Sequence, residues 1–100
     1  MHSKIQLASI YTINKNSLQI NFIDRWHQED IKSLTSFILN HLKAHHVIEV
    51  ISGADREYCR FEWQKDYFVL NFECYSESCW IENETTPNFT LLTSIKQCLE

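Results

Sequence analysis

Four cysteines and five histidines are the side chains of this sequence with the most specific chemistry to offer, and their spacing limits what that chemistry is. Cys74 and Cys79 form a C-x4-C pair, and Cys59 lies on a preceding segment that strand pairing would bring alongside. Thiols so placed could ligate zinc, or two of them could cycle as a disulfide. Structural zinc sites usually seat their cysteines on a tight glycine-containing knuckle, and no glycine stands near this pair. Alternation places Cys59, Cys74 and Cys79 among Phe68, Leu70 and Phe72, where cysteine packs as a small hydrophobe. Cys98 reads as a packed or partly exposed thiol near the end of the chain.

His41 and His45 are one helical turn apart and His46 follows them, a spacing that can hold a divalent ion. No Glu lies between them in the metalloprotease arrangement. Histidines in a final helical turn also complement the helix dipole without any ligand, and His27, beside Trp26, reads as a surface residue of a first turn. For nucleophilic catalysis, Cys59 or a serine of Tyr75-Ser76-Glu77-Ser78 could be offered with a histidine. The sequence holds no glycine-flanked serine elbow, phosphate loop or dinucleotide fingerprint, and Gly53 is its single glycine. No metal, cofactor or catalytic residue is therefore expected, and a metal- or thiol-dependent enzyme using Cys74, Cys79 and the helix histidines stands as the alternative.

The elements that would position these groups follow from hydrophobic periodicity. From Arg56 to Glu84 the sequence alternates through three segments, which predicts an antiparallel meander. One face would gather Cys59, Phe61, Trp63, Phe68, Leu70, Phe72, Cys74, Cys79 and Ile81, and the other Tyr58, Arg60, Glu62, Tyr67, Asn71, Glu73, Trp80 and Glu82. A turn at Lys65-Asp66 would set Trp63 opposite Phe68 and Cys59 opposite Phe72. A turn over 75–78 would set Cys74 opposite Cys79 and Phe72 opposite Ile81. Alternation over 4–13 and 18–23 predicts two further strands joined through Asn14-Lys15-Asn16-Ser17, with a bulge at Ala8-Ser9-Ile10.

Between them and the meander the period changes. Ile31, Leu34, Ile38 and Leu42 recur at helical spacing, which predicts an amphipathic helix over about 25–45 with Asp24 as N-cap. Val47 to Ile51 is a β-branched run that ends at Ser52-Gly53-Ala54-Asp55, where Gly53 is free to take a positive φ. After Glu84, Thr86 can cap and Pro87 suits a first helical position, with Leu91, Leu92, Ile95 and Leu99 as the apolar stripe of a short terminal helix. The sum is a single α+β domain over 1–100, ordered β-β-α-β-β-β-β-α, in two layers: an antiparallel sheet with both helices on one face.

Five segments, Gly53-Ala54-Asp55-Arg56, Phe61-Glu62-Trp63, Leu70-Asn71-Phe72-Glu73, Tyr75-Ser76-Glu77-Ser78 and Trp80-Ile81-Glu82, together resemble a small family of uncharacterised bacterial single-domain proteins. The likeness covers mainly 53–82. It implies a bacterial cytoplasmic protein of unknown function and carries over no catalytic residue.

Net charge is −4 with nine basic residues scattered among acidic neighbours, which disfavours nucleic acid as a partner. The first residues alternate instead of forming an apolar block, so neither a signal peptide nor a membrane span is expected and the cytoplasm is the default location. In that compartment the cysteines stay as thiols. Rings beside Arg are the residues that anchor protein interfaces, so the expected function is protein binding, to a partner or a second copy, through the outer sheet face or an edge strand. Tyr58, Arg60, Tyr67 and Trp80 are the expected contacts, with Glu62, Glu73 and Glu82 supplying complementary charge. An inhibitor or immunity-like role toward a basic partner is a further alternative.

Overall fold

The computed structural model describes residues 10–13, 16–44, 46–84 and 88–100. The strands are β1 (Ile10–Ile13), β2 (Ser17–Asn21), β3 (His46–Ser52), β4 (Arg56–Trp63), β5 (Asp66–Glu73) and β6 (Ser78–Asn83), and the helices are α1 (Ile31–Leu42) and α2 (Phe89–Leu99). All six strands form one sheet in the order β1-β2-β6-β5-β4-β3, antiparallel at every pairing. The class and element order are those the periodicity predicts.

Alternation sorts the two faces. Leu18, Ile20, Cys59, Phe61, Trp63, Phe68, Leu70, Phe72, Cys79 and Ile81 are buried, and they pack in one core with Ile31, Leu34, Ile38 and Leu42 of α1 and with Leu92, Ile95 and Leu99 of α2. Both helices therefore lie on the same side of the sheet. Cys74, expected in that core, is only partly buried because it sits in the turn after β5.

Register differs from the expectation at both meander turns. Gln64 and Lys65, not Lys65 and Asp66, form the first turn, with φ of 54° and 63°. Phe61 therefore faces Phe68, and Cys59 faces Leu70. The second turn spans 74–77, so Phe72 faces Cys79 and Cys74 has left the ladder. Each slip is two positions along the partner strand. A shift of two preserves the face of every side chain that stays in the ladder, so the core face is the one that alternation predicts.

The first helix also begins later than its stripe suggests. Residues 22–27 run without regular structure, a 3₁₀ turn occupies Gln28–Asp30, and α1 starts at Ile31, so Asp24 does not cap it. Asp30 accepts the His27 backbone N–H at 2.8 Å and organises this entry. His27 is exposed, as expected, while its neighbour Trp26 is buried with its ring edge-on to Phe72 at 5.4 Å. Asn88 caps α2 by accepting the Leu91 N–H at 3.0 Å. Thr86, Pro87, His45, residues 4–9 and the 14–15 part of the first turn, with the bulge expected there, lie outside the described residues.

Gly53 does not use a positive φ. Its backbone N–H donates to the Arg56 carbonyl at 2.6 Å, and an added Cβ would sit 3.2 Å from that same oxygen. Close approach across a tight β3–β4 turn is the reason for glycine there.

Candidate docking surface

Val47-Ile48-Glu49-Val50-Ile51 is apolar on both of its faces, a composition suited to a strand covered on both sides. The fold places it at the rim. All seven residues of β3 are exposed, among them Val50 at 55 % and Val47 at 43 %. Two adjacent helices cover about 20 Å of sheet, whereas six strands at about 4.8 Å spacing put the outermost axes about 24 Å apart. With α2 on the β1–β2 side and α1 over β4, β3 overhangs the helical layer.

A bulge at Ile48 adjusts the faces, since Val47 pairs with Phe61 but Glu49 pairs with Arg60. Val47 and Val50 thus look to the helical side, and Glu49 and Ile51 to the outer side. Beneath α1 the overhang leaves a groove of about 250 Å³ lined by Lys32, Thr35, Ser36, Val50, Glu57 and Cys59. The Gly53–Arg56 hydrogen bond fixes which backbone groups point outward. In an antiparallel ladder bonded and non-bonded pairs alternate, so Ile51 and Glu49 turn their N–H and C=O toward β4, while those of Val50 and Ser52 face away from the sheet. No described strand meets them on that side.

The outer-face residues expected as contacts are brought together, though not as an open aromatic patch. Tyr58, Asn71 and Trp80 form one cross-strand row, and Arg60, Val69 and Glu82 the next. Trp80 and Tyr58 are half-buried, Tyr67 is exposed, and Val69 and Asn71 on the central strand are buried by their neighbours. Arg60 is not the companion of Trp80. Its guanidinium lies 2.9 Å from Glu49 on β3 and 2.6 Å from Glu84, and those two carboxylates hold its charge more firmly than usual. Glu62 pairs with His46 at 2.8 Å, and Glu73 accepts from the Ser76 hydroxyl, which holds its carboxyl below the usual range.

The Cys79 thiol is kept apart from the histidines. Cys79 opposes Phe72 near the β5–β6 turn, whereas His46 is tied to Glu62 near the β4–β5 turn, some five strand residues or about 17 Å away. Burial pushes the Cys79 thiol well up, and burial with the Glu57 charge raises that of Cys59, which disfavours the thiolate at both. Burial first, then Asp55, Glu73 and Glu57, raise Cys74. His41 stacks edge-on against Phe37 at 4.3 Å, with its Nδ1 3.1 Å from the Phe37 carbonyl. Among the described residues no three His, Cys, Asp or Glu side chains are placed to share a metal ion. An open concavity of about 700 Å³ at that end of the sheet does gather His41, His46, Glu62, Trp63 and Cys98. Sequence spacing gave no hint that Cys98, and not Cys74 or Cys79, would join the histidines.

Fold and surface together define a two-layer α+β domain whose β3 edge is exposed and apolar. The chain belongs to the family described as Protein of unknown function (DUF3630), whose match spans residues 8–96. Neither a curated protein nor a solved structure matches it. No helix among the described residues is long and apolar enough to cross a membrane.

Proposed function

We propose that this protein is a non-catalytic docking module that takes up a polypeptide strand along the open edge of β3. One observation carries the reading: a strand apolar on both faces is exposed along its whole length. Edge strands left unpartnered are commonly blunted with Lys, Pro, brevity or a bulge; β3 has seven residues, neither of those residue types, and a bulge at Ile48 that leaves residues 49–52 in regular register. A strand added there would satisfy the outward backbone groups of Val50 and Ser52 and cover the branched side chains, which is the energetic basis of strand addition.

The outer face enters as the flank of this edge, through the contact of Arg60 with Glu49 and the pairing of Ile51 with Tyr58. The inhibitor reading draws no support from the edge, because Glu49, its one acidic side chain, is already engaged by Arg60. A photoreactive residue placed at Ile51 in the native cell is expected to capture protein, while the same probe at Tyr75, exposed at the β5–β6 turn, is not. Equal capture at the two positions contradicts the reading. Arg60→Ala and Trp80→Ala then locate the boundary: both weaken association if the partner spreads over the outer face, and Trp80→Ala leaves it unchanged if the edge alone is used.

A further inference from the structure

Resting on that reading, we infer that the strand taken up by β3 is the β3 of a second copy, antiparallel across a two-fold axis at Val50. The free edge is complementary to itself. Because the N–H and C=O of Val50 both point outward, Val50 of one copy and its counterpart in the other would exchange two hydrogen bonds as a narrow pair. The pairing sets Glu49 against Ile51 and Ile48 against Ser52. A two-fold normal to the sheet keeps faces matched, so the two Val50 side chains, the most exposed of the apolar residues in this strand, would meet on the helical side.

Other registers serve less well. Centring on Glu49 would put two carboxylates directly opposite each other, which is destabilising, and centring on Ile51 would set Val50 against Ser52. In this register Glu49 lies against Ile51 and not against its own counterpart, and each Glu49 keeps its contact with Arg60. What favours a second copy over an isolated peptide is the overhang. A lone strand would cover the edge but leave the groove beneath α1 open on the helical side. A second copy brings its own α1 to about three strand spacings, roughly 14 Å, from the first.

The test uses the full chain. Sedimentation equilibrium should give about twice the 12.0 kDa chain mass, and Val50→Lys should raise the dissociation constant about a hundredfold while the circular dichroism spectrum is unchanged. With Cys98→Ser removing the exposed thiol, Val50→Cys should form an intermolecular disulfide on mild oxidation, because a narrow pair holds Cα atoms about 5.5 Å apart. Tyr75→Cys in the same background should not. A monomeric mass at several hundred micromolar, or equal cross-linking at the two positions, overturns the inference. If the chain is monomeric and the Ile51 probe still captures another protein, the second copy is refuted and strand addition stands. If a dimer forms that Val50→Lys does not weaken and the Ile51 probe captures nothing, both fall.

Discussion

Trp63 shows how one side chain joins the two layers. Its Nε1 donates to the Leu42 carbonyl at 2.8 Å, satisfying one of the acceptors that the end of α1 leaves without an intrahelical partner, while its ring packs edge-on to Phe68. Trp63→Phe keeps a ring there but orphans that carbonyl, so it is expected to cost about 1–3 kcal/mol in urea unfolding. An unchanged midpoint would mean that the bond contributes nothing. A second link, Arg25 to Glu77 at 2.6 Å, fastens the irregular entry segment to the β5–β6 turn. The bond to Arg25 holds the Glu77 carboxyl below its usual range. A depressed folded-state pKa adds stability above the unfolded carboxylate pKa and loses it as pH falls through the folded one. Glu77→Gln should therefore flatten the acid limb of a stability profile and leave the neutral limb nearly parallel to that of the wild type. Neither link was legible in the sequence. Alternation assigns a residue to a face, but it does not say that an indole will reach a helix terminus or which loop arginine will find which turn carboxylate.

At the scale of elements, the strands and helices were readable because the alternating runs of β2, β4, β5 and β6 and two helical stripes each turn an apolar face to the core, and because β3 is a run of β-branched residues. The turns were not. Gln64 and Lys65 both take positive φ, yet neither belongs to the Asn-Gly type of pair that announces such a turn, and the neighbouring Asp66 looked the better turn residue. Lys65→Gly removes the Cβ strain at φ 63° and is expected to stabilise the protein by about 0.5–1 kcal/mol, with no gain from Lys65→Ala. A loss with Lys65→Gly would show that the lysine side chain contributes more there than the strained backbone costs. The start of α1 was misplaced for a similar reason. Apolar spacing continues back toward Trp26, but that ring is drawn under the sheet onto Phe72 by an extended segment, and Asp30 ends the 3₁₀ turn ahead of the helix.

For the molecule as a whole, the decisive fact is strand order, which no local pattern encodes. Val47-Ile48-Glu49-Val50-Ile51 reads as a β-branched strand, and only the placement of β3 at the end of the sheet makes it an uncovered apolar rim. The expected outer-face cluster did assemble, because parity alone determines it, but its arginine is held by Glu49 and Glu84 and its tryptophan is half-buried. Backbone amide exchange at Val50 and Ser52, followed as protein concentration rises from low micromolar to several hundred micromolar, tests the pairing of this edge most directly. The pairing predicts that both amides slow together, while the Tyr75 amide in the exposed β5–β6 turn stays fast. Amides at Val50 and Ser52 that exchange as quickly as Tyr75 at every concentration would contradict it.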